Sequence, residues 1–366
     1  MSITSEIARI KNRISSVYQT CSSKGATLPE TQNSANLAAC INSLTTGGGG
    51  TLVLNREVAD GVYQMPTTSF TWSLPSTATD IGDYGMYRAL SGCTGLTSVD
   101  LSSLTTVSGN YAMQYAFTNC TGLTSVDLSS LRTISSGGYA MQYAFHYCTS
   151  LTSVDLSSLT IVGGNEAMGC AFSGCTGLTG ALDLSSLTTV NGSNTMYHAF
   201  SGCRLTSVDL SSLTTISGVS AMQSAFQDCT RLTDVNFNSL QTIGVNSSST
   251  NYGHFSSCFN GCTNLTSLTF PNLRNIYCTG GTTYSYGTFA LNNKVQKMYF
   301  PKLNRITYGS GASSINQSAC TNLFYGCASL TELHFAAANK TAIEASPGYS
   351  TAWGRGAYNV TIYFDL

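Results

Sequence analysis

An apolar spacing returns along most of the chain. Leu96, Val99 and Leu101 are separated by Thr97, Ser98 and Asp100, and Leu104 and Val107 follow. Residues two apart on a strand face the same side, so this stretch predicts a short strand with one apolar wall. A few residues later the period changes. In YAMQYAF, at 111–117 and again at 139–145, Ala112, Met113, Ala116 and Phe117 fall at i, i+1, i+4 and i+5. That spacing predicts one face of a helical turn, with Tyr111, Gln114, Tyr115 and Thr118 pointing outward.

The two patterns recur as one unit, AFxxCTGLTSVDLSSLTTVSGxxAM. Successive units end at Leu90, Phe117, Phe145, Phe172, Phe200, Phe226, Phe259, Phe289 and Phe324, which makes nine. A period of this length is the signature of a stacked array. One unit cannot bury its apolar wall alone. Stacking buries it, and the strands then pair into a parallel sheet.

LxxLxL followed by AFxxC resembles the BspA-like leucine-rich repeat over 86–335. The resemblance implies an α/β repeat fold: a leucine-rich repeat solenoid with one parallel β-sheet face and short helical turns or loops opposite. It implies surface adhesion or binding of proteins or glycans, and rarely catalysis. It also implies that the cysteine following each Phe hydrogen-bonds backbone in the turn after the strand, with Asn292 substituting in the eighth unit.

That cysteine column comprises Cys93, Cys120, Cys148, Cys175, Cys203, Cys229, Cys262 and Cys327, out of 14 cysteines. Single cysteines at one position per unit read as buried thiols, because cysteine packs as a small hydrophobe. Zinc-ligand spacing is missing, since no CxxC pair occurs and Cys258 and Cys262 have no matching second pair.

The ends differ from the repeats. Ile3, Ile7, Ile10, Ile14 and Val17 are spaced 4, 3, 4, 3, which predicts either a short coiled-coil seam, with isoleucines favouring a trimer, or one amphipathic helix docked on the next segment. Residues 1–46 read as a helical attachment or oligomerisation segment, the glycines at 47–50 as a linker, 51–85 as an N-terminal cap and 336–366 as a C-terminal cap. Ala337 to Ala345 suits a helix and Val360 to Phe364 a closing strand. The helix, the KGxxxP turn and the second short helix resemble the N-terminal segment of phage tail-fibre and tail-associated proteins of gut bacteria.

Charged residues are only 9% of the chain and net charge is -1, which gives no steering toward nucleic acid or an anionic membrane. No apolar run is long enough to cross a bilayer, and no secretory signal pattern opens the chain. The 4 histidines belong to no nucleophile or metal motif, and neither a P-loop nor GxSxG occurs. The reading is therefore non-enzymatic, with no cofactor and no metal.

Two surfaces remain as ligand-binding candidates. Asp100, Asp127, Asp155, Asp183 and Asp209 occupy one strand position in five successive units. On a parallel sheet they stack about 5 Å apart on the outward, concave face. Such a ladder binds a cation or a polyhydroxylated ligand, or else Thr97, Ser98 and water relieve its repulsion. The second surface is an aromatic stripe: Tyr84, Tyr87, Arg88, Tyr111, Tyr115, Tyr139, Tyr143, His146, Tyr197 and His198. Inward positions repeat almost letter for letter, while these outward ones vary within an adaptable, paratope-like vocabulary. The expected partner is a bacterial surface protein or glycan, with other tail proteins held through 1–46, in a phage virion. The alternative is a bacterial cell-surface adhesin that binds host protein or glycan.

Overall fold

The computed structural model describes residues 69–244, 253–278, 287–308, 322–347, 349–351 and 360–366. The predicted helical segment at 1–46 and the glycine linker lie outside them. The described chain is a coil of stacked units, with two short parallel strands and one ribbon of turns to a typical unit. It contains very little helix.

The first strand of each unit is the LTSVD segment. Phe70–Ser73, Leu96–Asp100, Ser125–Asp127 and Ser153–Val154 pair in parallel, and the ladder resumes through Thr179–Asp183, Arg204–Asp209 and Asp234–Asn236. Register is one unit per rung: Val99 faces Val126 and Asp100 faces Asp127. The second strand is the TTV segment, and here nine strands run without a break from Asp80–Ile81 to Arg305–Tyr308. Among the described residues the solenoid thus has two parallel-strand sides, the second one continuous sheet of nine strands and the first divided into sheets of four, three and four strands.

The third side is the segment expected to be helical. Its hydrogen bonds alternate. The N–H groups of Ala112, Gln114, Ala116 and Thr118 close turns onto the carbonyls three residues back. Those of Tyr111, Met113, Tyr115 and Phe117 donate to Gly138, Ala140, Gln142 and Ala144 of the next unit, at 2.7–3.1 Å. An α-helix spends every donor on itself. A ribbon of consecutive β-turns spends half within the unit and half on its neighbour, so this side is a hydrogen-bonded ladder too. The ribbon requires left-handed backbone at every fourth residue, and Tyr111, Tyr115 and Asn119 have φ of 55°, 56° and 59°.

Between the three sides the core is a set of columns. Phe117, Phe145, Phe172, Phe200, Phe226 and Phe259 stack in order with centroids 5.0–5.9 Å apart and planes within 8°. Ala112, Met113 and Ala116 are fully buried beside them, as the inward pattern predicts. The ribbon register slips between the seventh and eighth units. At the C-terminal end a short helix, Lys340–Glu344, buries Ile343. The strand Thr361–Phe364 pairs with Glu332–Phe335 and ends the sheet that begins at Ser267–Thr269 and Lys297–Phe300.

Candidate recognition surface

The ribbon side carries the aromatic stripe, and the turn geometry decides where each side chain goes. Left-handed positions form columns along the solenoid. One column holds Tyr84, Tyr111, Tyr139, Glu166, Asn194 and Ser220, and the next holds Arg88, Tyr115, Tyr143, Cys170, His198 and Ser224, all with φ between 46° and 60°. Because units repeat at the strand spacing, like residues in a column stack. Tyr84, Tyr111 and Tyr139 lie face to face at 5.0 Å steps. Tyr115 and Tyr143 stack at 4.9 Å with planes 3° apart. Arg88 heads that second column with its guanidinium carbon 4.9 Å from the Tyr115 centroid and 5.4 Å from Tyr87. Ring faces are consumed by stacking, so the columns present edges and hydroxyls.

Gln114 and Gln142 do not point into solvent as expected. Both are buried between the tyrosine columns and form a chain: Gln114 Nε2 donates to Gln142 Oε1, and Gln142 Nε2 donates to Glu166 Oε2. Gly169 stands where Glu166's unit has no glutamine. A Cβ there would sit 3.3 Å from Glu166 Cβ, so the glycine leaves room for the carboxylate to fold across. Thr118 is buried as well, donating to the Tyr143 carbonyl at 2.5 Å.

His146 packs edge-on against Tyr143 and 4.1 Å from Tyr147, and it is half-buried rather than solvated. Burial lowers its pKa, and burial likewise lowers that of His198, against a smaller opposing pull from Asp228. Burial raises the pKa of the Tyr115, Tyr143 and Tyr197 hydroxyls above its ordinary range. Tyr197 and His198 meet edge to face at 4.2 Å, but Glu166, Gly169 and Cys170 stand between them and the main block. The stripe is therefore one block over the first three units and a separate pair in the fifth.

Tyr147 belongs to the block and was not among the expected residues. It is 51% exposed, with φ of 56°, in a column that is glycine in most other units. Its ring lies over Gly174, where a Cβ would come within 2.4 Å of the ring. The sequence signal was present: a tyrosine at a position otherwise occupied by Gly92, Gly174, Gly202, Gly261 and Gly326.

Asp100 faces Asp127 and Asp183 faces Asp209 in register, but the carboxylates have work within their own units. Asp100, Asp127, Asp155, Asp183 and Asp209 each accept the backbone N–H two residues on, at 2.9–3.0 Å. Ser129 and Ser157 add hydroxyl donors at 2.6 and 2.7 Å. These are Asx turns that end the strand. The serine of D-L-S, not Thr97 or Ser98, engages the charge. Hydrogen bonds from the Ser102 and Ser157 side chains, then their amides, hold Asp100 and Asp155 below the usual carboxylate pKa. Asn236 makes the same turn without charge. Among the described residues no group of three or more His, Cys, Asp or Glu side chains could hold a metal ion.

The described cysteines are buried thiols with no disulfide among them. From Cys120 onward each column thiol donates back one unit. Cys120 Sγ reaches the Leu90 carbonyl at 3.0 Å and Cys148 Sγ that of Phe117 at 3.2 Å, and the pattern continues to Cys262 on Phe226. The bonded turn precedes the strand, whereas the resemblance placed it after. Contact with the neighbouring thiol and then burial raise the Cys120 and Cys148 pKa, while burial pushes Cys262 and Cys327 up to about 12. Asn292 does the same work by amide, donating to the carbonyls of Phe255 at 3.0 Å and Phe289 at 2.6 Å.

A model of the "BspA type Leucine rich repeat region (6 copies)" matches residues 62–179, 141–252 and 250–346. The chain belongs to the BspA-type leucine-rich repeat family. Solved structures similar to this BspA-type chain include a T. pallidum leucine-rich repeat protein, 23% identical over 54% of this chain and 78% of that one, TM-score 0.36. A Bacteroides ovatus leucine-rich repeat protein is 18% identical over 77% and 71%, TM-score 0.34. A leucine rich cell surface protein from Faecalibacterium prausnitzii is 16% identical over 81% and 91%, TM-score 0.26. No curated protein matches this BspA-type chain.

Proposed function

We propose that this BspA-type protein is a non-enzymatic recognition protein whose ribbon side binds a macromolecular partner. The stacked tyrosine block of the first three units carries the reading. Tyr and Arg dominate binding hot spots, and rings held in columns lose little entropy on binding. The carboxylates of the aspartate ladder are engaged as turn caps, which favours recognition on the ribbon side over chemistry on the strand side.

The setting that fits best is a bacterial cell surface, with a host protein or glycan as partner. The family match accords with adhesion. The tail-fibre setting rested on residues 1–46, and no comparison supports it. A near-neutral chain gives no electrostatic attraction toward nucleic acid.

The test uses Tyr115→Ser and Tyr143→Ser together, since Ser224 has φ of 55° in the same column and the turn accepts it. Binding of the purified protein to host epithelial cells and to bacterial cells would be measured alongside thermal melting. The expected result is at least tenfold weaker binding to host cells with folding retained. Unchanged binding to every surface overturns the reading, and binding confined to bacterial cells restores the tail-fibre setting.

A further inference from the structure

One cation, Arg88, heads the block. Glu166 is engaged by Gln142. Arg88 is exposed, and among the described residues no carboxylate pairs with it. It is nevertheless fixed. Its N–H donates to the Gln114 carbonyl at 2.9 Å, its backbone is left-handed, and its guanidinium closes the stack of Tyr115 and Tyr143 while lying near Tyr87.

A guanidinium seated on aromatic faces is weakly hydrated and bonds through its edge, in a fork that matches a planar carboxylate. Phosphate-type groups are usually held by arginine clusters, and this block has a single one. Tyr87 and Tyr115, on whose rings the guanidinium rests, carry neutral hydroxyls that can donate to the same anion.

The covered ring faces matter as well. A sugar docks on an open aromatic face, and within each column those faces are already occupied by the next ring. Edges, hydroxyls and one forked cation suit the side chains and carbonyls of a peptide. Resting on the recognition reading above, we propose that Arg88, seated on Tyr87 and Tyr115, binds a carboxylate, and that the occupant of the stripe is an acidic peptide segment of a partner protein.

The probe is a fluorescein-labelled hexaglutamate peptide followed by anisotropy with the full chain, with hexaglutamine and polygalacturonate as comparisons. Hexaglutamate is expected to bind and to weaken with added salt, and hexaglutamine not to bind. Arg88→Gln should weaken hexaglutamate about tenfold, the size of one lost charge-assisted pair. Arg88→Ser serves as the second variant, because Ser224 and Ser257 have φ of 55° and 54° in that column. Hexaglutamate binding that both variants leave unchanged, or no hexaglutamate binding at all, overturns the proposal. Polygalacturonate binding more tightly than hexaglutamate, with loss in Arg88→Gln, overturns the peptide class. If Tyr115→Ser with Tyr143→Ser abolishes cell binding and the Arg88 variants do not, the recognition reading stands and this inference falls.

Discussion

Phe289 stacks on Phe255, with centroids 5.5 Å apart and planes 13° from parallel, although the repeat pattern aligns it with Phe259. The ribbon has slipped by four residues between the seventh and eighth units. Phe255 N–H donates to Thr288 and Ser257 N–H to Ala290, so Phe259 N–H would meet no backbone carbonyl in step. Asn292 Oδ1 accepts it at 2.8 Å, and Asn293 Oδ1 accepts from Gly261 N–H at 3.3 Å. Asparagine sits there because the slip needs an acceptor as well as a donor, and a thiol supplies only the donor.

Asn292→Cys, which restores the column residue, is therefore expected to destabilise the protein. It leaves the buried Phe259 N–H unsatisfied, at a cost of about 1–3 kcal/mol. Urea unfolding of the variant against the parent measures this, and equal stability would show that Asn292 has no special role at the slip.

Stability should fall on acidification through His254. It is fully buried, and neither ring nitrogen has a hydrogen-bond partner. Burial lowers its pKa from 6.5 to about 4. Between those values the unfolded chain binds a proton that the folded chain does not, so stability is complete above the upper value and declines as pH falls toward the lower one. The loss is about 3 kcal/mol. Melting across that window should show it, and His254→Ala, the residue at this position in Ala112, Ala140 and Ala221, should remove that part of the slope.

Changing all five ladder aspartates to asparagine should keep the fold at only a modest cost in melting temperature, because the hydrogen bonds that lower the Asp100 and Asp155 pKa favour the charged form. The Asx turns survive, as Asn236 shows by accepting from Asn238 N–H at 3.1 Å, and like-charge repulsion goes. Alanine at Asp127 alone should cost about 1 kcal/mol for the lost turn. A large loss of stability on asparagine substitution would mean that the charge itself is needed.

Gly174→Ala should destabilise more than an ordinary surface change. Its φ is 74°, and the added Cβ would meet the Tyr147 ring at 2.4 Å. The backbone term alone is about 1–2 kcal/mol. Combining it with Tyr147→Gly should recover the part due to the ring, and a double-mutant cycle separates the two.

The C-terminal strand should loosen when its polar clasp is cut. His334 Nδ1 lies 3.0 Å from Asp365 Oδ1 and Nε2 lies 3.0 Å from Glu332 Oε2, with the ring stacked between Tyr299 and Tyr363. Among the described residues Thr361–Phe364 pairs with Glu332–Phe335 alone, so the clasp adds to that single ladder and to the packing of Phe364 on Phe335. Asp365→Ala should speed amide exchange across that strand and leave Glu332–Phe335 protected; unchanged exchange would show that the clasp is unimportant.

The sequence by itself determined the repeat, the parallel strands, the Phe, Met and Ala columns and the buried thiols. All follow from burial, which acts on residue type and recurs at a fixed period. It also marked the tyrosines as outward. It left the ribbon's conformation open, because a four-residue turn period is nearly indistinguishable from a helical 3.6 over eight residues. Tertiary structure decided that point, since only a ribbon of turns shares its N–H groups with the next unit. That sharing then placed Tyr111 and Tyr115 at left-handed positions, buried Gln114 and Gln142 between them, and turned ring faces inward along the columns. The slip at Phe255 and the partners of Asn292 are likewise matters of which rung faces which, a relation between units that no single unit's sequence contains.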